Sequence, residues 1–277
     1  MDNRKRFTLA VLLLLFSLIS VLPFLIASDS ELFNFIEQPL IILLPTILIT
    51  VIYLSKTKKT INNFYYLNKI DLKDILLLSI IVLLMPAIVN YVAELFDFLV
   101  IDYSSEEVIS ISGENSGLFY EVLDFIYRVV FFAVFPGVIE EILFRGTILG
   151  LLEELKINHL VIILINGVLF GLFHANMEQF FYTTVMGFIL TAVVYATKSL
   201  YASIYVHIMY NLLVSLPYLV DIENSKILSN ILDIMDNTKS LFWTILSSLA
   251  VMFIIHILNS SRKIKIEEEF YKDAKIN

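Results

Sequence analysis

Long apolar runs, interrupted at intervals by short polar stretches, set the pattern of this chain. Eight such runs stand out, at residues 7–27, 38–54, 75–97, 122–152, 159–176, 180–197, 200–220 and 241–258. Each approaches or exceeds the ~20 helical residues that cross a bilayer. Backbone polar groups in hydrocarbon must pair within their own segment, so such runs form helices. The pattern predicts an all-α fold, a polytopic membrane bundle of about eight transmembrane helices in one domain over 1–277. The first run follows MDNRKRF, a start that a signal peptide would share. Its length exceeds the usual 7–15 residues of a signal core and no small-x-small site follows, so it reads as an uncleaved anchor.

The polar stretches alternate in charge. Arg4, Lys5 and Arg6 precede the first run, and Asp29, Glu31 and Glu37 follow it. Lys56, Lys58, Lys59, Lys69 and Lys73 come next, then Asp102, Glu106, Glu107 and Glu114. Lys156 and Lys198 fall in later turns of the basic side, and Arg262, Lys263 and Lys265 end the last run. By the positive-inside rule the basic stretches and both termini are cytoplasmic. Residues 259–277 then form a cytoplasmic tail, solvated, with its leading bases near anionic headgroups. The short turns at Glu153–Lys156 and Asn176–Glu178 carry few charges with which to test the count.

Composition agrees. The 277 residues are 58% hydrophobic and 17% charged, against about 25% charged in soluble domains. The absence of cysteine excludes disulfides, thiolate catalysis and Cys-ligated zinc. The net charge of −8 resides mostly in loops and gives no reason to expect nucleic acid as a partner. Pro39, Pro136 and Pro217 are helix kinks or edges. Gly146/Gly150 and Gly167/Gly171 have the GxxxG spacing of close helix packing.

Charge inside a membrane helix is costly, at least ~2.5–3.5 kcal/mol per ionised group, and marks function more often than packing. The fourth run holds PGVIEEILFRG, with Glu140, Glu141 and Arg145. Glu141 and Arg145, four apart, share a helix face and can pair. Glu140 is turned about 100° away and is free to point elsewhere. The fifth run places Asn166, Phe170 and His174 near one face, and the seventh repeats Ser203, His207, Asn211 and Ser215 every four residues. Counted from the cytoplasmic ends, His207, Asn211, Glu140 and His174 lie at roughly 10, 16, 18 and 22 Å. Three helices thus bring carboxylate, imidazole and amide to one level, where they should face a water-filled cavity. A buried ion cluster that only fixes packing would explain the Glu141–Arg145 pair but not the second glutamate.

These residues resemble the signatures of the CPBP (CAAX protease and bacteriocin-processing, Abi) family of intramembrane proteases, related to the CAAX prenyl endopeptidases. The family's EExxxR, FxxxH and HxxxN read here as EEILFR (Glu140, Glu141, Arg145), FGLFH (Phe170, His174) and HIMYN (His207, Asn211). The resemblance covers 122–220, which would form the catalytic core. It implies proteolysis in a polar intramembrane cavity open toward the cytoplasm. It also implies the bilayer and a peptide or lipidated protein as partners, with roles from CAAX maturation to bacteriocin immunity.

Two chemistries are open. In one, Glu140 is the general base for a water held by His174, while His207 and Asn211 stabilise the oxyanion and Glu141 with Arg145 orients the helix or binds substrate backbone. No cofactor is then needed, and this version is favoured. In the other, Glu140 or Glu141, His174 and His207 ligate a divalent metal such as zinc, although no HExxH pair is present. Outside proteolysis, a non-enzymatic immunity or chaperone-like factor or an ion-coupled transporter would also bury charge, but no internal repeat points to transport. His159 reads as an interfacial or capping residue, His256 as a packing residue, and Asp124–Arg128 as an i, i+4 pair. Asn90 and Glu94 are lesser candidates for the cavity.

Overall fold

The computed structural model describes residues 3–26, 38–96, 118–174, 177–219 and 240–276. The acidic stretches with Asp29, Glu31, Glu37, Asp102, Glu106, Glu107 and Glu114 lie outside them, as does Asn176. Every apolar run becomes helix: α1 (Asn3–Ile26), α2 (Gln38–Thr57), a short α3 (Ile61–Tyr65), α4 (Leu72–Phe96), a rod from Leu118 to Glu153, α8 (His159–Phe173), α9 (Met177–Thr197), α10 (Leu200–Leu219) and α11 (Leu241–Ile276). Among the described residues there is no strand, only a single bridge between Leu67 and Ser199. Among the described residues, four helices are long and apolar enough to cross a membrane, within Leu72–Phe96, Val122–Glu153, Gln179–Thr197 and Leu241–Lys265. Shorter apolar helices join them. This is a multi-pass membrane protein.

The rod is not one regular helix. It reads α5 (Leu118–Arg128), a π-helical stretch at Val129–Val134, α6 (Phe135–Glu141), a second π stretch at Ile142–Ile148 and α7 (Leu149–Glu153). Wide π turns are rare and often flank functional sites; here they bracket the segment that carries both glutamates. Glycine sets the helix contacts. A Cβ on Gly167 would lie 2.2 Å from the Phe188 ring, and one on Gly187 would lie 2.7 Å from the Gly167 Cα. Helices α8 and α9 therefore touch backbone to backbone, as the GxxxG spacing implies. Gly150 likewise seats the Phe64 ring of α3.

One end of the bundle gathers the basic turns. Lys59 pairs with Glu154, Tyr66 donates to Glu153 at 2.5 Å, and Asn68 donates to the Lys198 carbonyl at 2.5 Å. The Lys198 ammonium sits 4.9 Å from the Tyr66 and Tyr195 ring centres, and Lys265 reaches Asp71 at 2.6 Å. Asn158, not His159, caps α8 by accepting from the Leu160 amide, and His159 stacks on Tyr195. The residues after 258 continue α11 as helix to Ile276.

Candidate active site

Glu141 is the hub of a dry polar cluster. Its Oε1 accepts from Arg145 Nη1 at 2.6 Å and from His207 Nδ1 at 2.9 Å. A carboxylate only accepts, so the Nδ1 proton of His207 is fixed and Nε2 is turned outward. Arg145 also donates through Nη2 to the Gly187 carbonyl at 3.1 Å, and its guanidinium lies 4.4 Å from the Phe170 ring centre. Glu141, Arg145 and Phe170 are all 0% exposed. The second π stretch begins one residue after Glu141, yet the i, i+4 pair survives across it.

Glu140 is held differently. Its Oε2 stands 3.9 Å from His207 Nε2, beyond hydrogen-bond reach, and is buried without a partner. An unpartnered buried carboxylate oxygen in a folded protein calls for an explanation, commonly a ligand or water. Glu140 lines a cavity of about 350 Å³, together with His174, His207 and Asn211. His174 sits at the C-cap of α8, where its Nδ1 donates to the Phe170 carbonyl at 2.8 Å. That bond leaves its Nε2 as the acceptor nitrogen. Phe170 is the common wall: its ring centre lies 4.9 Å from that of His174 and 5.8 Å from that of His207.

The stripe on α10 divides along its length. His207, Asn211 and Ser215 line the cavity, whereas Ser203 is fully buried and donates to the Leu200 carbonyl. Asn166 does not face the cavity. It is 0% exposed, donates to the Phe144 carbonyl at 2.9 Å and accepts from Thr191 at 3.2 Å. Asn90 lines the cavity and Glu94 does not. Asp124 and Arg128 form their pair at 2.8 Å. The sequence reading missed the α9 wall, made by Gln179, Tyr182, Thr183 and Met186. Their i, i+3, i+4, i+7 spacing is a single helix face, and that signal was available.

Among the described residues no three His, Asp or Glu side chains stand together so as to hold an ion. His207 and His174 each donate Nδ1–H to an acceptor and keep Nε2 free, an arrangement that serves a hydrogen-bonding and a metal-ligating imidazole alike.

Residues 122–213 match the family model described as Type II CAAX prenyl endopeptidase Rce1-like. The core of this chain is similar to that family. The match takes in every residue of the three motifs, from Glu140 to Asn211, and leaves out α1 to α4 and α11. The chain is also 31% identical over 113 residues to a Bacillus subtilis (strain 168) protein described as "Putative membrane peptidase YdiL". That alignment covers 40% of this chain and 46% of the relative, so the chain spans about half the length of the curated relative it matches. No solved structure matches.

Proposed function

We propose that this Rce1-like protein is an intramembrane endopeptidase that hydrolyses a peptide bond with a water activated by Glu140. The observation that carries the reading is the unpartnered Glu140 Oε2 on the wall of a polar cavity, next to a second glutamate whose Oε1 holds Arg145 and His207 and whose Oε2, also without a hydrogen bond, belongs to a residue that does not line that cavity. A purely structural cluster has no use for the first carboxylate.

In this mechanism Glu140 takes a proton from water as its oxygen attacks the scissile carbonyl carbon. His174 Nε2 accepts the water's other hydrogen and holds it for the attack. The new C–O bond makes a tetrahedral oxyanion, stabilised by the Asn211 amide and by His207. For His207 to donate from Nε2 it must carry a second proton, because Nδ1 is committed to Glu141. An imidazolium there makes the cluster neutral, with Glu140 and Glu141 balanced by Arg145 and His207. Collapse of the intermediate breaks the C–N bond, and Glu140 passes its proton to the departing amine. No step runs through a metal.

The test is a peptidase assay on purified protein in detergent or liposomes, using membrane peptides as substrates. Glu140→Gln should lower kcat by about 10²–10⁴, the usual contribution of a positioned general base. Wild-type cleavage that survives this change undiminished overturns the assignment.

A further inference from the structure

We propose that Asn90 of α4, which lies outside the family match at 122–213, binds the backbone of the peptide substrate and gives the site a wall that the three motifs do not describe. The inference rests on the hydrolase reading for what the cavity does. To that reading it adds a residue that governs affinity rather than rate.

Asn90 stands in the stretch MPAIVNYVA of α4. Met85, Ala87, Ile88 and Val89 just before it are all buried. A carboxamide in such surroundings is costly unless something hydrogen-bonds it. Among the described residues Asn90 has no hydrogen-bond partner. Instead it lines the cavity together with Val89 and Ala93, neighbours on one face of the helix. The fold holds that face in place. Pro86 interrupts the helical hydrogen bonding one turn earlier, and in the same turn Thr244 of α11 reaches the Ala87 carbonyl at 2.8 Å. Helix α4 also packs against α9 and α10. The backbone at Asn90 is thus fixed while its side chain is left open.

The rest of the cavity lacks a group for the substrate backbone. Glu140, His174, His207 and Asn211 line it, and the mechanism gives each a task at the water or the oxyanion. On α9 the Thr183 hydroxyl turns back to its own helix and donates to the Gln179 carbonyl at 2.6 Å. A peptide segment that displaces the cavity water must find new partners for its N–H and C=O groups. A carboxamide carries both donor and acceptor, so Asn90 matches both groups of one peptide unit. A peptide unit inside a helix has already used both. The segment that Asn90 holds is therefore locally extended, which also bares the scissile carbonyl to attack.

Asn90→Leu removes the amide at similar volume. With a membrane peptide that the wild type cleaves, KM should rise about tenfold, the order expected for one net hydrogen bond, and kcat should change less than about twofold. The melting temperature should hold or rise, because no hydrogen bond within the protein is lost. Replacing the backbone N–H groups near the scissile bond by ester oxygens, one at a time, should give one ester that raises KM for the wild type and not for Asn90→Leu. The chain has no cysteine, so Asn90→Cys in a Glu140→Gln background reports binding with hydrolysis suppressed. The peptide should slow its modification by a small methanethiosulfonate. An unchanged KM in Asn90→Leu, a raised KM with a lowered melting temperature, or a modification rate indifferent to peptide overturns the proposal. If the wild type cleaves none of the peptides and they still slow modification, Asn90 keeps its binding role and the hydrolase reading alone fails.

Discussion

Replacing Arg145 with Met tests the division of labour between the two glutamates. The guanidinium is fully buried and meets the Glu141 carboxylate at 2.6 Å, the Gly187 carbonyl at 3.1 Å and the Phe170 ring face at 4.4 Å. Removing one partner of a buried pair strands the other, at a cost of about 3–5 kcal/mol. Gly187 O still accepts from Thr191 at 2.8 Å, so the carbonyl adds little. The ring contact adds up to about 2 kcal/mol when desolvated, though Met recovers part of it by packing. A loss of roughly 4 kcal/mol corresponds to a fall in melting temperature on the order of 10 °C. Thermal unfolding of the detergent-solubilised protein measures it. The decisive comparison is the double variant Glu141→Gln/Arg145→Met, which leaves no stranded charge. It should be more stable than Arg145→Met alone, a coupling expected only of groups in direct contact. Equal or greater destabilisation in the double variant would refute the pairing argument.

Three further outcomes are expected. Asn211→Ala should lower kcat about 10²- to 10³-fold with little change in KM, because an oxyanion donor acts only in the transition state; steady-state kinetics on the peptidase substrate measures the split. Gly171→Ala should destabilise by about 1–3 kcal/mol, since its Cβ would lie 2.0 Å from Thr184 Oγ1 and 2.7 Å from the Phe180 carbonyl; thermal unfolding reads this loss. At the basic end, the hydrogen bond from Lys265 and that from the Asp74 amide hold Asp71 down to about 2. A depressed carboxylate stabilises fully above its unfolded value and loses that contribution as pH falls through the folded one, so any effect appears between about pH 4 and 2. Asp71 is largely exposed, and Asp71→Asn should change stability at pH 7 by less than about 1 kcal/mol in a thermal melt.

The helices could be read from the sequence because a bilayer demands long apolar runs, and no competing structure satisfies the backbone there. The pair Glu141–Arg145 was legible for a similar reason: two charges four apart on one helix have a single economical arrangement. The π stretches were not. VVFFAV and ILFRGTI carry no local mark of a wider turn, and the Tyr65 ring that packs against Gly146 in the second comes from a distant part of the chain. Helix α3 was too short, at 5 residues, for periodicity to show. Its Thr60 cap, accepting from the Asn63 amide, was the only local sign. The destination of Asn166 could not be foreseen either. From spacing it shared a face with His174, but the close approach of α9 at Gly167 turned it into a bridge to Phe144 and Thr191.

The separation of Glu140 from Glu141 explains why adjacent carboxylates are useful rather than repulsive. Neighbours in sequence diverge by about 100° on a helix, so one enters the dry layer while the other reaches the cavity. Arg145 neutralises the first, and through the first His207 is held by one nitrogen with the other pointing toward Glu140. The dry layer thus aims a side chain into the wet one. Phe170, with no polar atom of its own, closes the boundary: it covers the guanidinium on one side and contacts both imidazoles on the other. A polar residue at that position would admit water to the Arg145 pair and weaken the field that orients His207. The aromatic residue in the motif is therefore the seal between charge used for structure and charge left available for chemistry.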